Sequence, residues 1–229
     1  DGMRGGEGAY VDMPFEDLVG QLTLESRRAE CVVVGEDLGT VPHGFRERMA
    51  EARVLSYQVL WFEHEGQNFR SPEHYPPLGA ACVSTHDLPT LAGWWEASDI
   101  AEREALGLLP TEEGLRQTAA RVKERRILLG TLVRAGLLDD RWGEDPLPEH
   151  LPDEVAVAVH AWLARASSTL ALVQADDLGG EVERLNLPGT DRERPNWRRR
   201  LHHGVDDLLD LPVARRILDG FAARRRGAD

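Results

Sequence analysis

Short apolar runs alternate along the chain with segments of helical spacing. Residues 15–29 place apolar side chains three or four positions apart and end in two arginines, which favours a helix whose C-terminal end is complemented by positive charge. Apolar, β-branched runs follow at 31–34, 56–62 and 80–84. Runs of this kind are typical of strands buried on both faces, so the pattern predicts an α/β fold with a parallel sheet or barrel.

Acidic or histidine residues come directly after each of these predicted strands. Glu36 and Asp37 follow the first strand, Glu63 follows the second, and His86 and Asp87 follow the third. Because α/β sheets and (β/α) barrels carry their active sites at the carboxyl ends of the strands, these residues are candidates for a site.

The second half of the chain begins with helical spacing. The longest amphipathic segment covers 114–136, and 153–167 is predicted to be a buried helix capped by Asp153. Residues 168–178 are predicted to form a fourth strand that ends in carboxylates. A long irregular loop over 185–197 follows, of a kind that is often functional on the mouth side of a barrel.

The overall charge limits the partners. The formal net charge of −13 would repel a nucleic-acid backbone and an anionic membrane, so a neutral ligand is favoured. No stretch has the roughly 18 to 20 apolar residues of a membrane span, and the first residues lack a signal-peptide core. We therefore expect a cytoplasmic protein.

The two cysteines, Cys31 and Cys82, fall in predicted strands that are not neighbours. Two strand spacings, about 9.6 Å, exceed the roughly 7 Å between α-carbons that a disulfide allows. Both are predicted to be buried free thiols.

Glu36 has two interpretations. A carboxyl at the mouth of a buried strand, partly shielded from water, would favour its neutral form and could serve as a general acid. Alternatively, Glu36 or Asp37 caps the helix that is predicted to start at Pro42.

The segment after the third strand also has two interpretations. His86 could bind a sugar hydroxyl, and Asp87 could hold two hydroxyls or oppose developing positive charge. The alternative is that Asp87 caps a helix. Trp94 could stack on a sugar, or it could be a core aromatic.

Motifs of other chemistries are absent from the sequence. It contains no phosphate-binding glycine loop, no Cys-x-x-Cys and no His-Glu-x-x-His. His86 and Asp87 could ligate a metal, but no other histidine stands at ligand spacing. We expect neither a metal nor an organic cofactor.

Five ordered motifs together resemble the amylomaltase, or disproportionating 4-α-glucanotransferase, family. They are P-F-E-D-L (14–18), G-E-D-L-G-T-V-P (35–42), S-Y-Q-V-L-W-F-E (56–63), S-T-H-D-L-P-T-L-A-G-W-W (84–95) and L-N-L-P-G-T (185–190) with P-N-W-R-R-R-L (195–201). The resemblance implies that residues 1–229 are the C-terminal half of a (β/α)8 TIM-type barrel of the α-amylase clan. Strands five to eight would then carry a helical insertion at about 91–167 and a C-terminal helix at about 204–226.

The same resemblance implies a role for particular residues. Glu36 would be the acid/base catalyst, and Asp87 would stabilise the transition state with His86 beside it. The loop around Asn186 would line the substrate groove, and either Glu63 or Glu65 would make the contact that an acidic residue makes after the sixth strand. The family's nucleophile lies in an R-I-D-H-type stretch, which this sequence does not contain.

The implied activity is transfer of a 1,4-α-glucan segment to a 4-hydroxyl of another glucan by retaining double displacement. Malto-oligosaccharides would be the substrates, and the chain would be a fragment that needs the missing N-terminal half and is inactive alone. A hydrolase of the same clan and a non-catalytic glucan-binding protein are the alternatives.

Overall fold

Short parallel strands and longer helices make up the structure, which confirms the predicted α/β class. It is a computed structural model that describes residues 8–9, 11–143 and 146–226, without the side chains of Arg224 and Arg226. The chain divides into two units, residues 1–56 and 57–229.

The first unit holds two helices and a parallel strand pair. Helix α1 (Phe15–Ala29) ends with Arg27 and Arg28 in its last turn, as predicted. Strand β1 (Val34–Gly35) precedes helix α2 (Phe45–Glu51), and it pairs in parallel with the start of strand β2 (Leu55–Val59).

Aromatic and cationic side chains join the two helices of this unit. The rings of Phe15 on α1 and Phe45 on α2 meet edge to face, with centroids 5.8 Å apart. The guanidinium of Arg48 lies 3.6 Å from the Phe15 centroid and pairs with Glu16. Cation–π contacts of this kind stabilise an exposed helix pair by about 0.5–1 kcal/mol.

Burial of the first strand was predicted wrongly. Only Val34 and Gly35 form the strand, and Val32, which precedes the paired residues, is 65% exposed. Cys31 is likewise an exposed thiol rather than a buried one. Neither Glu36 nor Asp37 caps α2, whose N-cap is Gly44 with no side-chain cap.

The second unit contains the remaining strands. Strand β2 continues into it and is followed by a hairpin of β3 (His64–Glu65) and β4 (Asn68–Phe69). Strand β5 (Gly79–Cys82) pairs in parallel with β6 (Leu170–Ala171), with Ala80 opposite Leu170. The strand order in this unit is β2, β5, β6.

Helices supply most of the core of the second unit. Helix α6 is buried on nearly all sides, and α5 buries Leu128, Leu129 and Leu132. The helices are α3 (Leu91–Glu96), α4 (Ser98–Ala105), α5 (Thr111–Arg134), α6 (Asp153–Leu163), α7 (Ala175–Gly179), α8 (Val205–Leu208) and α9 (Pro212–Arg226).

Several boundaries in this unit differ from the prediction. Strand β2 ends at Val59 and continues as a 3₁₀ turn over Leu60–Phe62. The predicted strand over 168–178 is a two-residue strand followed by helix α7. The predicted helix over about 204–226 is two helices, because Pro212 cannot continue α8 but suits the first turn of α9.

Two smaller predictions in the second unit have opposite outcomes. The N-cap of α6 is Pro152, and Asp153 is the first helical residue instead of the cap. Cys82 is a buried free thiol, as predicted. Burial and the nearby charge of Asp177 raise the pKa of this thiol to about 12, so it stays protonated.

Candidate active site

Hydrogen bonds hold both ends of the segment between β5 and α3, residues 83–90, which we call the arch. The Ser84 hydroxyl donates to the Pro89 carbonyl over 2.6 Å, and the Ser84 carbonyl accepts from the side-chain amide of Gln174. At the other end Thr90 caps α3 by accepting from Gly93 N–H at 3.0 Å. His86 and Asp87 therefore lie on a segment whose two ends are fixed.

A buried charged contact supports the start of α3. Oδ1 of Asp177 accepts the backbone N–H of Leu91 at 3.0 Å, and Oδ2 lies 3.2 Å from Nε2 of His160. Both side chains are almost fully buried. A carboxylate at this position satisfies a donor that has no partner within the helix and complements the helix dipole.

Asp87 is the centre of a polar cluster on this arch. Its Oδ1 accepts from the side-chain amide of Asn186 at 2.6 Å and lies 3.3 Å from Nε2 of His86. The backbone N–H of Asn186 also donates to the His86 carbonyl at 3.1 Å. Asp87 and His86 are 43% and 56% exposed, so a ligand can reach both side chains.

The structure excludes the alternative interpretation of Asp87. Helix α3 begins at Leu91 with Thr90 as its N-cap, three residues after Asp87. The Asp87 carboxylate is instead bonded to a side chain 99 residues away in sequence. The Asp87 carboxylate therefore does not cap α3.

The loop over 185–197 is folded on itself by Asn196. The Asn196 side chain accepts from Leu187 N–H at 3.1 Å and donates to the carbonyl and hydroxyl oxygens of Thr190. The backbone N–H of Trp197 closes the loop by donating to the Leu185 carbonyl. Asn186 is therefore carried on a pre-formed loop.

Two buried arginines anchor this loop to α4. Glu102 accepts from Nε of Arg184 at 2.8 Å and from Nε of Arg194 at 2.5 Å. Burial alone would raise the pKa of Glu102, but the hydrogen bonds and charges of Arg194 and Arg184 outweigh it and lower the pKa below its ordinary value. The carboxylate form is the one that holds the loop.

Trp197, at the end of the loop, was not singled out from the sequence. Trp197 is 58% exposed, and its ring centroid lies 5.0 Å from that of the His86 ring, with the planes tilted by 46°. The P-N-W motif was the only sequence signal that could have pointed to it.

Glu36 and Asp37, in the first unit, have different surroundings. Asp37 is 6% exposed and accepts from Arg46 Nε and the Ser56 hydroxyl, both at 2.9 Å. Glu36 is exposed, and its Oε1 accepts from Leu38 N–H at 2.7 Å. The shielding that we expected around Glu36 is therefore not present in this unit, and Asp37 is the carboxylate that holds the local structure.

The remaining predicted contacts lie elsewhere. Trp94 is 4% exposed and stacks on Trp61, with centroids 4.4 Å apart and the Arg121 guanidinium 5.0 Å from its ring. Trp94 is thus a core aromatic in this structure, which is the second of the two interpretations given for it above. Glu63 follows the 3₁₀ turn after β2 and lies 3.4 Å from Arg70.

The described residues contain no group of three or more His, Cys, Asp or Glu side chains that could hold a metal ion. None of the helices in the same part of the chain has the length and apolar character needed to cross a membrane.

Known proteins resemble this chain over most of its length. A family model described as 4-alpha-glucanotransferase matches residues 3–206. The 4-alpha-glucanotransferase of Haemophilus influenzae is 36% identical over 200 residues, which cover 87% of this chain and 29% of that protein. Its counterpart in Mycobacterium bovis is 36% identical over 205 residues, or 86% of this chain and 27% of that protein. The chain thus spans less than a third of the length of these curated relatives.

Solved structures agree with this result. The crystal structure of amylomaltase from Corynebacterium glutamicum matches with a TM-score of 0.83 and 31% identity, over 93% of this chain and 32% of that one. Amylomaltase from Streptococcus agalactiae, solved in complex with acarbose, matches with a TM-score of 0.59 at 16% identity and supports the fold alone. With its family model covering most of the sequence, the chain belongs to the 4-alpha-glucanotransferase family.

Proposed function

We propose that this chain contributes to a 4-α-glucanotransferase, which moves a segment of a 1,4-α-glucan to the 4-hydroxyl of an acceptor glucan or glucose. The observation that carries the proposal is the cluster of Asp87, His86 and Asn186 after β5, in a chain of this family. Its substrates would be malto-oligosaccharides and other α-1,4-glucans.

Asp87 would act on the transition state. Glycosyl transfer passes through an oxocarbenium-like state, whose positive charge a nearby carboxylate stabilises. The amide of Asn186 fixes the orientation of Asp87 before substrate arrives, and a ligand can reach the carboxylate because the side chain is 43% exposed. His86 would bind a hydroxyl of the same sugar.

Glu36 would be the acid/base catalyst. Of the two adjacent carboxylates, Asp37 is buried and bonded to Arg46 and Ser56, whereas Glu36 is exposed. Glu36 would protonate the leaving 4-oxygen in the first step and accept the proton of the acceptor 4-hydroxyl in the second.

The proposed reaction is a retaining double displacement. A carboxylate nucleophile attacks the anomeric carbon as the bond to the leaving oxygen breaks, and the acceptor then displaces that carboxylate. We assign the nucleophile to a stretch that residues 1–229 do not contain. We further propose that the chain is the C-terminal half of a (β/α)8 barrel. An N-terminal half would supply the nucleophile, and the assembled enzyme would work in the cytoplasm. Glu63 remains a proposed substrate contact.

Incubation of the full-length gene product with maltotriose tests the proposal. Transfer yields glucose together with maltotetraose and longer chains on thin-layer chromatography. Glucose and maltose without longer chains would identify a hydrolase instead, and binding without any product would identify a glucan-binding protein.

A further inference from the structure

Trp197 has an unusual backbone conformation for its position. Its φ is 62°, in the left-handed region, which costs a non-glycine residue roughly 1–2 kcal/mol. The other described non-glycine residues with positive φ are Glu30, Arg53 and Ala97, and each lies one or two residues after the last residue of a helix, where this conformation is common. Trp197 follows no helix, so a helix end does not explain its conformation.

The surrounding loop imposes this conformation. Arg194 donates from Nη1 to Oδ1 of Asn196 at 2.8 Å and from Nη2 to the Arg184 carbonyl at 2.6 Å. Asn196 is the residue directly before Trp197, and the Trp197 N–H donates to the Leu185 carbonyl at 3.2 Å. These hydrogen bonds maintain the backbone strain at Trp197, and strained residues of this kind cluster at functional sites.

The conformation leaves a large aromatic surface open next to the polar cluster. Trp197 is 58% exposed, and its indole lies against the His86 ring. The backbone carbonyl of His86 accepts a hydrogen bond from the Asn186 N–H. Asp87 receives both of its side-chain contacts at Oδ1, so within the described residues Oδ2 has no partner. An open ring beside hydrogen-bonding groups is the composition of a sugar site, since pyranose C–H faces pack on aromatic rings while hydroxyls bind polar atoms.

We propose that Trp197 is a platform on which one pyranose ring of an α-glucan stacks, while His86 and Asp87 bind hydroxyls of that ring. The inference rests on the proposed function and adds a specificity-determining residue to it.

Two substitutions separate this role from a structural one. Trp197→Gly removes the ring and suits the left-handed backbone, and Trp197→Phe keeps a ring. Calorimetric titration of the full-length protein with acarbose measures binding without turnover. The Gly variant should bind acarbose about 10-fold more weakly, as expected from the loss of one aromatic contact, and the Phe variant within about 3-fold of the unaltered protein.

Thermal unfolding supplies the second measurement. The Gly variant should melt at the same temperature or higher, because the strain is relieved, whereas a structural tryptophan would lower the melting temperature when removed. Trp142→Ala is a control for acarbose affinity alone, since Trp142 is partly buried and packs against the core. Trp142 lies on the 3₁₀ turn Asp140–Gly143 beside Arg141, and its replacement should leave acarbose affinity unchanged.

The outcomes distinguish the two proposals. If the unaltered protein disproportionates maltotriose but Trp197→Gly binds acarbose normally, the platform is wrong and the transferase function stands. A fall in melting temperature that accompanies the loss of affinity would also overturn the platform. If acarbose binding depends on Trp197 but maltotriose is not converted, the platform stands and the transferase function fails. Absence of both binding and conversion overturns both.

Discussion

Gly93, in the first turn of α3, packs directly on the carbonyl oxygen of Val182. A β-carbon at Gly93 would collide with that oxygen and approach the Ser98 hydroxyl to 2.9 Å. A backbone atom cannot move aside cheaply, so the close approach requires glycine. The glycine in the T-L-A-G-W-W motif is therefore explained by packing of α3 on the segment that leads to the loop over 185–197.

Gly93→Ala should destabilise the protein by about 1–3 kcal/mol, the usual cost of overpacking. The matched control is Gly220→Ala in α9, where the added methyl group would meet only the Ala161 β-carbon at 4.0 Å. That change should stabilise the protein by about 0.5–1 kcal/mol through helix propensity. Thermal melting of both variants checks the prediction, and equal melting temperatures would contradict it.

Glu36→Gln should lower transfer from maltotriose by roughly 10²- to 10⁴-fold in the full-length protein, because glutamine cannot exchange the proton. The melting temperature should not change, since the amide oxygen can still accept from Leu38 N–H. Glu47→Gln, an exposed carboxylate on α2, is the control and should retain full activity. Near-normal turnover of the Glu36→Gln variant would remove Glu36 from the mechanism.

Asp87→Asn should reduce kcat more than it raises KM, because the proposed charge stabilisation acts in the transition state. Steady-state kinetics with maltotriose measure both parameters. If only KM changed, Asp87 would be a simple binding residue. Combining Asp87→Asn with Asn186→Ala should cost less than the sum of the single effects, since the two side chains share one hydrogen bond.

Low pH should weaken the hydrogen bonds of Glu102 that anchor the loop carrying Asn186. The pKa of Glu102 is lowered in the folded protein, so its carboxylate adds stability above the ordinary value of 4.5, and this stability is lost as the pH falls through the lower folded pKa. Glu102→Gln should be less stable at pH 7 by about 1–2 kcal/mol, with the difference shrinking below about pH 4.5.

Melting curves of the unaltered protein and the Glu102→Gln variant between pH 7 and pH 3 test this. Glu65→Gln, an exposed carboxylate on β3 away from any helix terminus, is the control and should differ little from the unaltered protein at any pH. A stability difference for Glu102→Gln that stayed constant down to pH 3 would show that Glu102 does not hold the loop through its charge.

Short-range patterns predicted where the parallel strands lie along the chain, although not all of their boundaries. Runs such as 80–84 are apolar because the strand is covered on both sides, and that requirement is visible locally. His86 and Asp87 were selected as candidates because they are polar residues that directly follow a buried apolar strand. Asn186 needed the family resemblance, since its partner Asp87 is 99 residues away.

Long-range contacts decide what the local patterns left open or predicted differently. Trp94 is buried because Trp61 and Arg121 pack against it, and neither neighbour is close in sequence. Asp177 was predicted to end a strand, but it lies in α7, and its carboxylate bonds Leu91 N–H, which is 86 residues away in sequence. The left-handed backbone of Trp197 likewise follows from a tertiary contact with the Leu185 carbonyl.

The buried contact between His160 and Asp177 changes how inactive variants should be interpreted. His160 has no exposed surface, so no sugar can touch it, yet its Nε2 lies 3.2 Å from the Asp177 carboxylate that accepts Leu91 N–H at the start of α3. In a random mutagenesis screen for lost transferase activity, substitutions at His160 should therefore be recovered alongside those at Asp87. A map of such mutations would include His160 in α6, although its side chain is fully buried.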